Sequence, residues 1–545
     1  MSDSSLIRSS AVMAAGTLVS RLLGFVRAIL LTGLLGVTGA LAYDTFATAN
    51  TVPNQVYNLI AGGLLNAVLV PAITRAAKHE DGGQAFLDRL LTIALVVLGT
   101  VTVVVVALSP LVPVVLGTAG WDAPTRALTV AFAFWCLPQV FFYGLYTVLG
   151  QVLNARGRFG AYMWAPVLNN VIALAGIGVL YLWIGGFDPS GNRHPPSTWT
   201  DGQIAVLAGT ATLGVALQAL VLLIPLRAIG FRYRPRLGWR GAGLATAGQV
   251  AGWTFAAALV GQLAYVMTSR AVTGAGDAGG PGRGAYDNAY LLFVLPHSLV
   301  TVSLVTALFT RMSRAAVDGD QRGVRRDLSV GLRLTGVATV LATSGLLALG
   351  PDLTVTLFFK NSVAEGMAIG RTTMAMSLGL VAFSAQYLFQ RAFYAYSEAR
   401  TPFLVQLPVA AVIAASSYGS AQLLSPARVV IGVGLGLAAG YTVGALLSAF
   451  LLRRRLGSLD GGRVLRTYVR LALAAVVAGL AGRATSVLVH QVLEGRAAAV
   501  VSLVVGGAVL VALFWTACRA MRVRELDEVA GPLLRRLPRR PSGRA

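Results

Sequence analysis

Two arginines stand inside the first apolar run of the chain. Arg21 and Arg27 lie in the segment SRLLGFVRA, Ser20 to Ala28, with only apolar residues and a glycine between them. A charge at the centre of a membrane helix costs about 2.5–3.5 kcal/mol on insertion scales, so such a residue normally faces a wet cavity or an anionic partner. At 100° per residue, their six-residue separation falls about 120° short of two full turns, which takes them off one narrow stripe. One can therefore bind a ligand while the other snorkels or pairs internally. Gly16 and Gly24 on the same run let the helix bend or a neighbour approach closely.

The next apolar segment carries polar residues unusual for lipid: Asp44, Asn50, Asn54, Gln55, Asn58 and Asn66. Asn50, Asn54 and Asn58 recur every four residues and so share one helix face. A polar face at membrane depth lines water, a substrate or another helix, and both cavity lining and interhelical hydrogen bonding fit this pattern. Pro53 is expected to interrupt the regular helix. Asp44 is expected to pair with Arg27 or Arg21 when the site is empty.

Signatures of catalysis are missing. There is no phosphate-binding glycine loop followed by lysine, no HExxH and no carboxylate pair in a credible catalytic setting. No catalytic residue and no cofactor is expected. His79, His194, His297 and His490 are scattered, and only His297 lies deep in an apolar span, where a core histidine bonded to a neighbouring helix is the plainer role. Cys136 and Cys518 fall in apolar segments without metal-ligand spacing and read as packing residues, so no metal site is expected. Transport or flipping is what remains.

The elements that position these residues follow from composition. Of 545 residues, 56% are hydrophobic and 12% charged, where soluble domains carry about 25% charged residues. The fold class is therefore an all-α polytopic membrane protein. Apolar windows give about fourteen spans, near 11–35, 42–76, 88–117, 125–154, 160–186, 203–229, 243–271, 285–315, 329–358, 367–396, 401–424, 428–452, 468–490 and 498–521. The first reads as a retained helix rather than a cleaved signal peptide.

A formal charge of +23 does not indicate nucleic acid here, because the charge sits in loops. Alternate connections hold Arg75, Lys78 and Arg89, then Arg156 and Arg158, then Arg227 to Arg240, Arg314 to Arg326, Arg400, and Arg453 to Arg466. The opposite set holds little more than Arg126, Arg193, Arg283, Lys360, Arg428 and Arg496. Basic short loops stay cytoplasmic, so both termini are expected in the cytoplasm and the chain in the inner (plasma) membrane. The basic tail from Arg535 to Arg544 agrees, and can also meet anionic lipid head groups.

An internal repeat is visible. RAAKHEDGGQAFLD at 75–88 and RAAVDGDQRGVRRD at 314–327 place Arg75, Ala76, Ala77 and Asp88 in register with Arg314, Ala315, Ala316 and Asp327, and Gln151 and Gln390 keep that register. Six spans separate the copies, an even number, which predicts a parallel repeat of two six-helix lobes. The expected divisions are 1–236 and 237–455 for the lobes, 456–524 for spans thirteen and fourteen, and 525–545 for a basic cytoplasmic tail.

SRLLGFVRA followed by AYDTFATANTVPNQVYNLIAGGLLNAVLVPA, Ala42 to Ala72, resembles the N-terminal signature of the MurJ/MviN lipid II flippases of the multidrug/oligosaccharidyl-lipid/polysaccharide exporter superfamily. Tyr290 to Ala316 resembles the eighth-span region of actinobacterial relatives, and the likeness covers nearly the whole chain. It implies two lobes around a cationic cavity, with spans thirteen and fourteen forming a groove for the undecaprenyl tail. Arg21 and Arg27 match the family's first-span arginines, the second a diphosphate-binding candidate, and Asp44 matches the acid that opens span two. Other positions depart: Ala28 stands where many members have an acid, Tyr57 where arginine is common, Gly62 where glutamate is common, and Leu291 where span eight often has arginine. Arg270 near the end of span seven either compensates for this thinned cluster or snorkels at the interface.

The resemblance thus implies a flippase moving lipid II, the undecaprenyl-diphosphate-linked precursor, by alternating access, with Arg27, Arg21, Asp44, Asn54, Asn58 and Arg270 as substrate-binding candidates. Arginine suits a diphosphate because its planar fork donates two hydrogen bonds at once. Rival readings are a MATE-like drug antiporter, a flippase for another polyprenyl-linked glycan, and a non-transporting scaffold that recruits cell-wall synthesis proteins. Membrane lipids are expected partners, and nucleic acid is not.

Overall fold

The computed structural model describes residues 3–60, 84–156, 158–187, 194–231, 233–236 and 244–526. Among them the chain is helical nearly throughout, and its one extended pairing is a single bridge between Thr38 and Pro281. The helical elements are α1 (Asp3–Leu35), α2 (Leu41–Ile60), α3 (Gln84–Ala107), α4 (Ala123–Asn154), α5 (Phe159–Ile184), α6 (Asp201–Ala228) and α7 (Leu244–Asp277). They continue as α8 (Arg283–Val317), α9 (Gln321–Leu357), α10 (Val363–Ser377 and Leu380–Ala395), α11 (Arg400–Leu423), α12 (Pro426–Leu456), α13 (Gly461–Val492) and α14 (Gly495–Ala520).

Twelve of these are long and apolar enough to cross a membrane among the described residues, and the bent pair of α10, 48° at its break, makes thirteen. The expected fourteen exceeds that count because α2 is described only to Ile60 and is rich in Asp, Asn and Gln. Asn66 and Gly62 lie outside the described residues.

Contacts divide the chain into two compact units. The first comprises Met1–Ala285 with Phe358–Ser362 and Ser417–Val430, and so includes α7; the second comprises Tyr286–Leu357, Val363–Ser416 and Ile431–Ala545. Apolar burial, worth about 25 cal/mol per Å² against water, is not what holds helices together in lipid; close packing and interhelical hydrogen bonds do that. In the first unit Leu34, Phe46, Phe132, Cys136, Leu180 and Leu207 pack as one cluster. In the second, Leu349, Leu471, Ala478, Leu510, Phe514 and Cys518 join α9, α13 and α14. Both cysteines are buried free thiols that fill these clusters.

Local chemistry sets the ends. Asp122 caps α4 by accepting from the Thr125 amide at 2.9 Å, and these Thr125 hydrogen bonds hold its carboxyl below the usual carboxylate range. Thr200 and Gln203 form a reciprocal capping box at the start of α6. The α5 helix stops at Gly185, whose φ of 86° is left-handed.

Pro53 does not break α2. The helix runs unbroken from Leu41 to Ile60 with Pro53 inside it, correcting the expected interruption. A proline forfeits one backbone bond to the residue four positions earlier, a loss that packed neighbours absorb in a buried helix. Wide π-type turns interrupt α6 at Ala205–Gly209, α8 at His297–Thr301 and α14 at Ser502–Gly506.

Asp88 and Asp327, the residues in repeat register, are both buried near the start of their helices. Asp88 accepts from the Arg234 amide at 3.1 Å and lies 4.0 Å from the Arg236 guanidinium. Asp327 accepts from Arg311 at 2.7 Å. In the first unit this aspartate ties a basic connection to the helix it opens, and in the second it ties the last turns of α8 to α9.

Candidate functional site

Arg27 is half-buried on α1. Among the described residues it has neither an ion-pair nor a hydrogen-bond partner; its charge reaches the hydroxyl of Tyr143 on α4. The Asn54 side chain of α2 lies beside that hydroxyl. The Tyr57 ring lies 5.6 Å from that of Tyr143, and the Tyr57 hydroxyl meets Thr147 at 2.6 Å. The site is thus a cation near tyrosine and asparagine side chains, with no carboxylate paired to it among the described residues.

The α2 face is divided between two tasks. Asn50 accepts from Gln139 at 2.9 Å, and Gln139 also donates to Thr212 at 3.1 Å, tying α2, α4 and α6 together. Gln262 of α7 donates to Gln55 at 2.7 Å. Asn54 and Asn58 stay exposed and bond to each other at 2.7 Å. Interhelical bonding therefore takes Asn50 and Gln55, and the open face keeps Asn54 and Asn58.

Arg21 is exposed on α1, one residue after Ser20, whose carbonyl and hydroxyl accept from Asn170 of α5 at 2.9 and 3.2 Å. These bonds fix the rotation of α1 about two turns before Arg27. Arg270 is also exposed, and it lines a 480 Å³ cavity with Thr118, Tyr418 and Gln422. Arg27 and Asn54 share the neighbourhood of Tyr143, whereas Arg270 lines that other cavity.

Asp44 is fully buried, and its Oδ1 accepts from the backbone amide of Arg283 at 3.0 Å. Of the two expected partners, Arg27 and Arg21, Arg27 has no ion pair among the described residues. Glycine makes this approach possible: a Cβ on Gly276 would fall 2.2 Å from Asp44 Oδ2, and one on Gly282 2.5 Å from it. Arg283 is itself only 1% exposed. Its guanidinium donates to Ser269 at 2.8 Å, Thr51 at 3.1 Å and Thr48 at 3.3 Å, and bonds the Tyr265 hydroxyl.

Sequence reasoning placed Arg283 among loop arginines. One signal for its neighbourhood was present: Ala42-Tyr43-Asp44 has a second copy in Ala285-Tyr286-Asp287, and each is followed nine residues later by a proline, Pro53 and Pro296. Immediately beyond Pro296, His297 bonds Ser384 of α10 through Nδ1 at 2.9 Å and packs 4.2 Å from the Phe383 ring. That is the core role expected of it.

The second unit holds two adjoining cavities. A 780 Å³ groove between α9, α10 and α13 is walled by Val340, Leu347, Ala472, Val476 and Leu480. A 510 Å³ cavity beside it contains Asp352, Arg371, Arg483, Ser486 and His490.

Similarity to known proteins follows the same lines. A family model described as lipid II flippase MurJ matches residues 33–503. A probable lipid II flippase MurJ of Rhizobium meliloti is 27% identical over 460 residues, covering 83% of this chain and 81% of that protein. The lipid II flippase MurJ of Burkholderia cenocepacia is 27% identical over 492 residues, with 87% and 89% covered. Among solved structures, a lipid II flippase MurJ in an inward closed conformation aligns with a TM-score of 0.69 at 16% identity, over 93% of this chain and 99% of that one. An inward-facing MATE family transporter of the MOP superfamily aligns at 0.63 and 16% identity, over 81% and 96%. At such identities these two establish the shared helical fold.

Proposed function

The chain belongs to the lipid II flippase MurJ family, and from that membership we infer that it moves lipid II from the inner to the outer leaflet of the plasma membrane. It does so as a polytopic membrane transporter that alternates between inward-open and outward-open states. Arg27 carries the reading at residue level. A half-buried arginine in an apolar helix, without an anionic partner among the described residues, is a costly arrangement that a phosphate-bearing ligand repays.

In this reading Arg27 neutralises the diphosphate, and the exposed Asn54 and Asn58 with the Tyr143 hydroxyl supply neutral hydrogen bonds to the head group. The prenyl chain stays apolar throughout, in the groove on α13. Asp44 and Arg283 act as a buried fastening between the start of α2 and the connection following α7. Arg21 gathers anionic cargo from its exposed position, and Arg270 serves the cavity beside Gln422. Both termini lie in the cytoplasm, because the basic connections fall on that side. When the site empties, a negative-inside potential draws the uncompensated cation inward, by about 2.3 kcal/mol per charge per 100 mV.

The test is depletion of the protein followed by measurement of lipid II exposed on the outer face of the cell. Exposure is expected to collapse and to return with the wild-type chain but not with Arg27→Ala. Unchanged exposure on depletion sinks the flippase reading; full rescue by a normally folded Arg27→Ala sinks the role of that arginine.

A further inference from the structure

Two arginines in the second unit have no assigned task. Arg371 sits about eight residues into α10, and Arg483 about nine residues before α13 ends at Val492, so at 1.5 Å per residue each lies about 12–14 Å along its helix from that end. The two ends are on the same side: Asp352, late in α9, accepts from Ser486 at 2.7 Å and from His490 at 2.8 Å, both late in α13. Both arginines line the 510 Å³ cavity. Neither has an ion-pair or hydrogen-bond partner among the described residues.

The one carboxylate lining that cavity among the described residues, Asp352, is 4% exposed and already engaged by Ser486 and His490. The arginines are therefore not there to neutralise it. Arg483 and Met374 also line the 780 Å³ apolar groove, so the two spaces adjoin across these side chains. The groove offers apolar walls for a chain, and the cavity beside it two uncommitted guanidiniums for a strongly anionic head. Arginine at such depth normally snorkels, and both side chains are exposed, but two that line one cavity offer a polyanion two forks.

We propose that Arg371 and Arg483 form a second diphosphate station for the prenyl lipid, at the head of the groove that takes its chain. This rests on the flippase reading. It adds a resting place in the second unit, distinct from Arg27 in the first, so that the diphosphate has a cation to meet at another stage of its passage. Two guanidiniums match the charge of a diphosphate better than that of a singly charged phospholipid phosphate.

The experiment uses the full chain in detergent, titrated with undecaprenyl diphosphate and read by native mass spectrometry, with thermal melting as the folding control. The wild type is expected to bind two equivalents. Arg371→Gln/Arg483→Gln should lose one of them, or bind it at least tenfold more weakly, and Arg27→Ala should lose the other. Val476→Trp, which fills the groove, should weaken the same equivalent as the double variant.

A well-folded double variant that keeps both equivalents overturns the station. So does displacement of the second equivalent by phosphatidylglycerol at equal concentration, which makes it a general lipid site, or by inorganic pyrophosphate with no effect of Val476→Trp, which makes it a free-anion site. If the wild type binds no undecaprenyl diphosphate and depletion leaves lipid II exposure unchanged, the flippase reading fails and the station with it. One bound equivalent, lost only with Arg27→Ala, overturns the station and leaves that reading standing.

Discussion

The backbone amide of Arg283 holds Asp44 while its guanidinium is held by hydroxyls. The amide donates to Asp44 Oδ1 at 3.0 Å, whereas Nη1 donates to Ser269 at 2.8 Å and Nη2 to Thr51 at 3.1 Å. Hydroxyls thus solvate a buried cation in place of water, and a buried carboxylate anchors the turn that delivers it. Removing a single hydroxyl from such a shell is costly because hydrogen bonds to charged groups contribute about 1.5–3 kcal/mol each. Tyr265→Phe should therefore lower the melting temperature clearly, while Thr48→Val, which removes a longer 3.3 Å contact, should lower it less. Equal melting of both variants and wild type would contradict this account of Arg283.

The close approach of Gly276 and Gly282 to Asp44 leaves no room for a methyl group. Gly276→Ala should destabilise by about 1–3 kcal/mol, the usual range for overpacking, and lower the yield of folded protein. Gly99→Ala is the control, because nothing lies within 4 Å of a Cβ built there. A melting scan of the two variants side by side checks the difference.

Tyr143→Phe removes a hydroxyl that lies in the field of Arg27 and that the proposed reading gives to the head group. One neutral hydrogen bond is worth about 0.5–1.5 kcal/mol, so lipid II exposure in complemented cells should fall roughly two- to tenfold. The expected fall is smaller than that for Arg27→Ala, and a Tyr143→Phe chain as inactive as Arg27→Ala would place the hydroxyl at the centre of binding.

His297 and Ser384 form a buried polar pair. His297→Leu strands the serine hydroxyl and should cost about 1–3 kcal/mol. His297→Leu/Ser384→Ala should cost less than the sum of the single changes. A double-mutant cycle by melting or by denaturant measures the coupling, and strict additivity would dissolve the pair.

What could be read without coordinates follows from how local each signal is. Apolar length marks spans directly, and the arginine in an apolar run is conspicuous because its cost is paid within the same helix. His297 was legible for that reason too. Arg283 was not: in the string GGPGRGAYD it has the setting of a loop residue, and its burial arises from α2 and α7, which pack over it from far along the chain. The Asp352–His490 contact likewise joins residues in α9 and α13 that no local pattern connects. Pro53 misled because the rule against proline in helices concerns one missing bond, which a buried helix tolerates.

The wide turn at His297–Thr301 has a consequence for insertions and deletions. A π turn adds one residue to the winding, so everything beyond it in α8 is rotated by about 100° relative to an uninterrupted α-helix. The Arg311 side chain reaches Asp327 at 2.7 Å in that rotated frame. Removal of one residue within 297–301 would restore ordinary winding, swing Arg311 a quarter-turn or more off its aspartate and leave that carboxylate buried beside the weaker 3.7 Å contact with Arg326. Sequence length between the histidine and the arginine is thereby constrained as tightly as the identity of either.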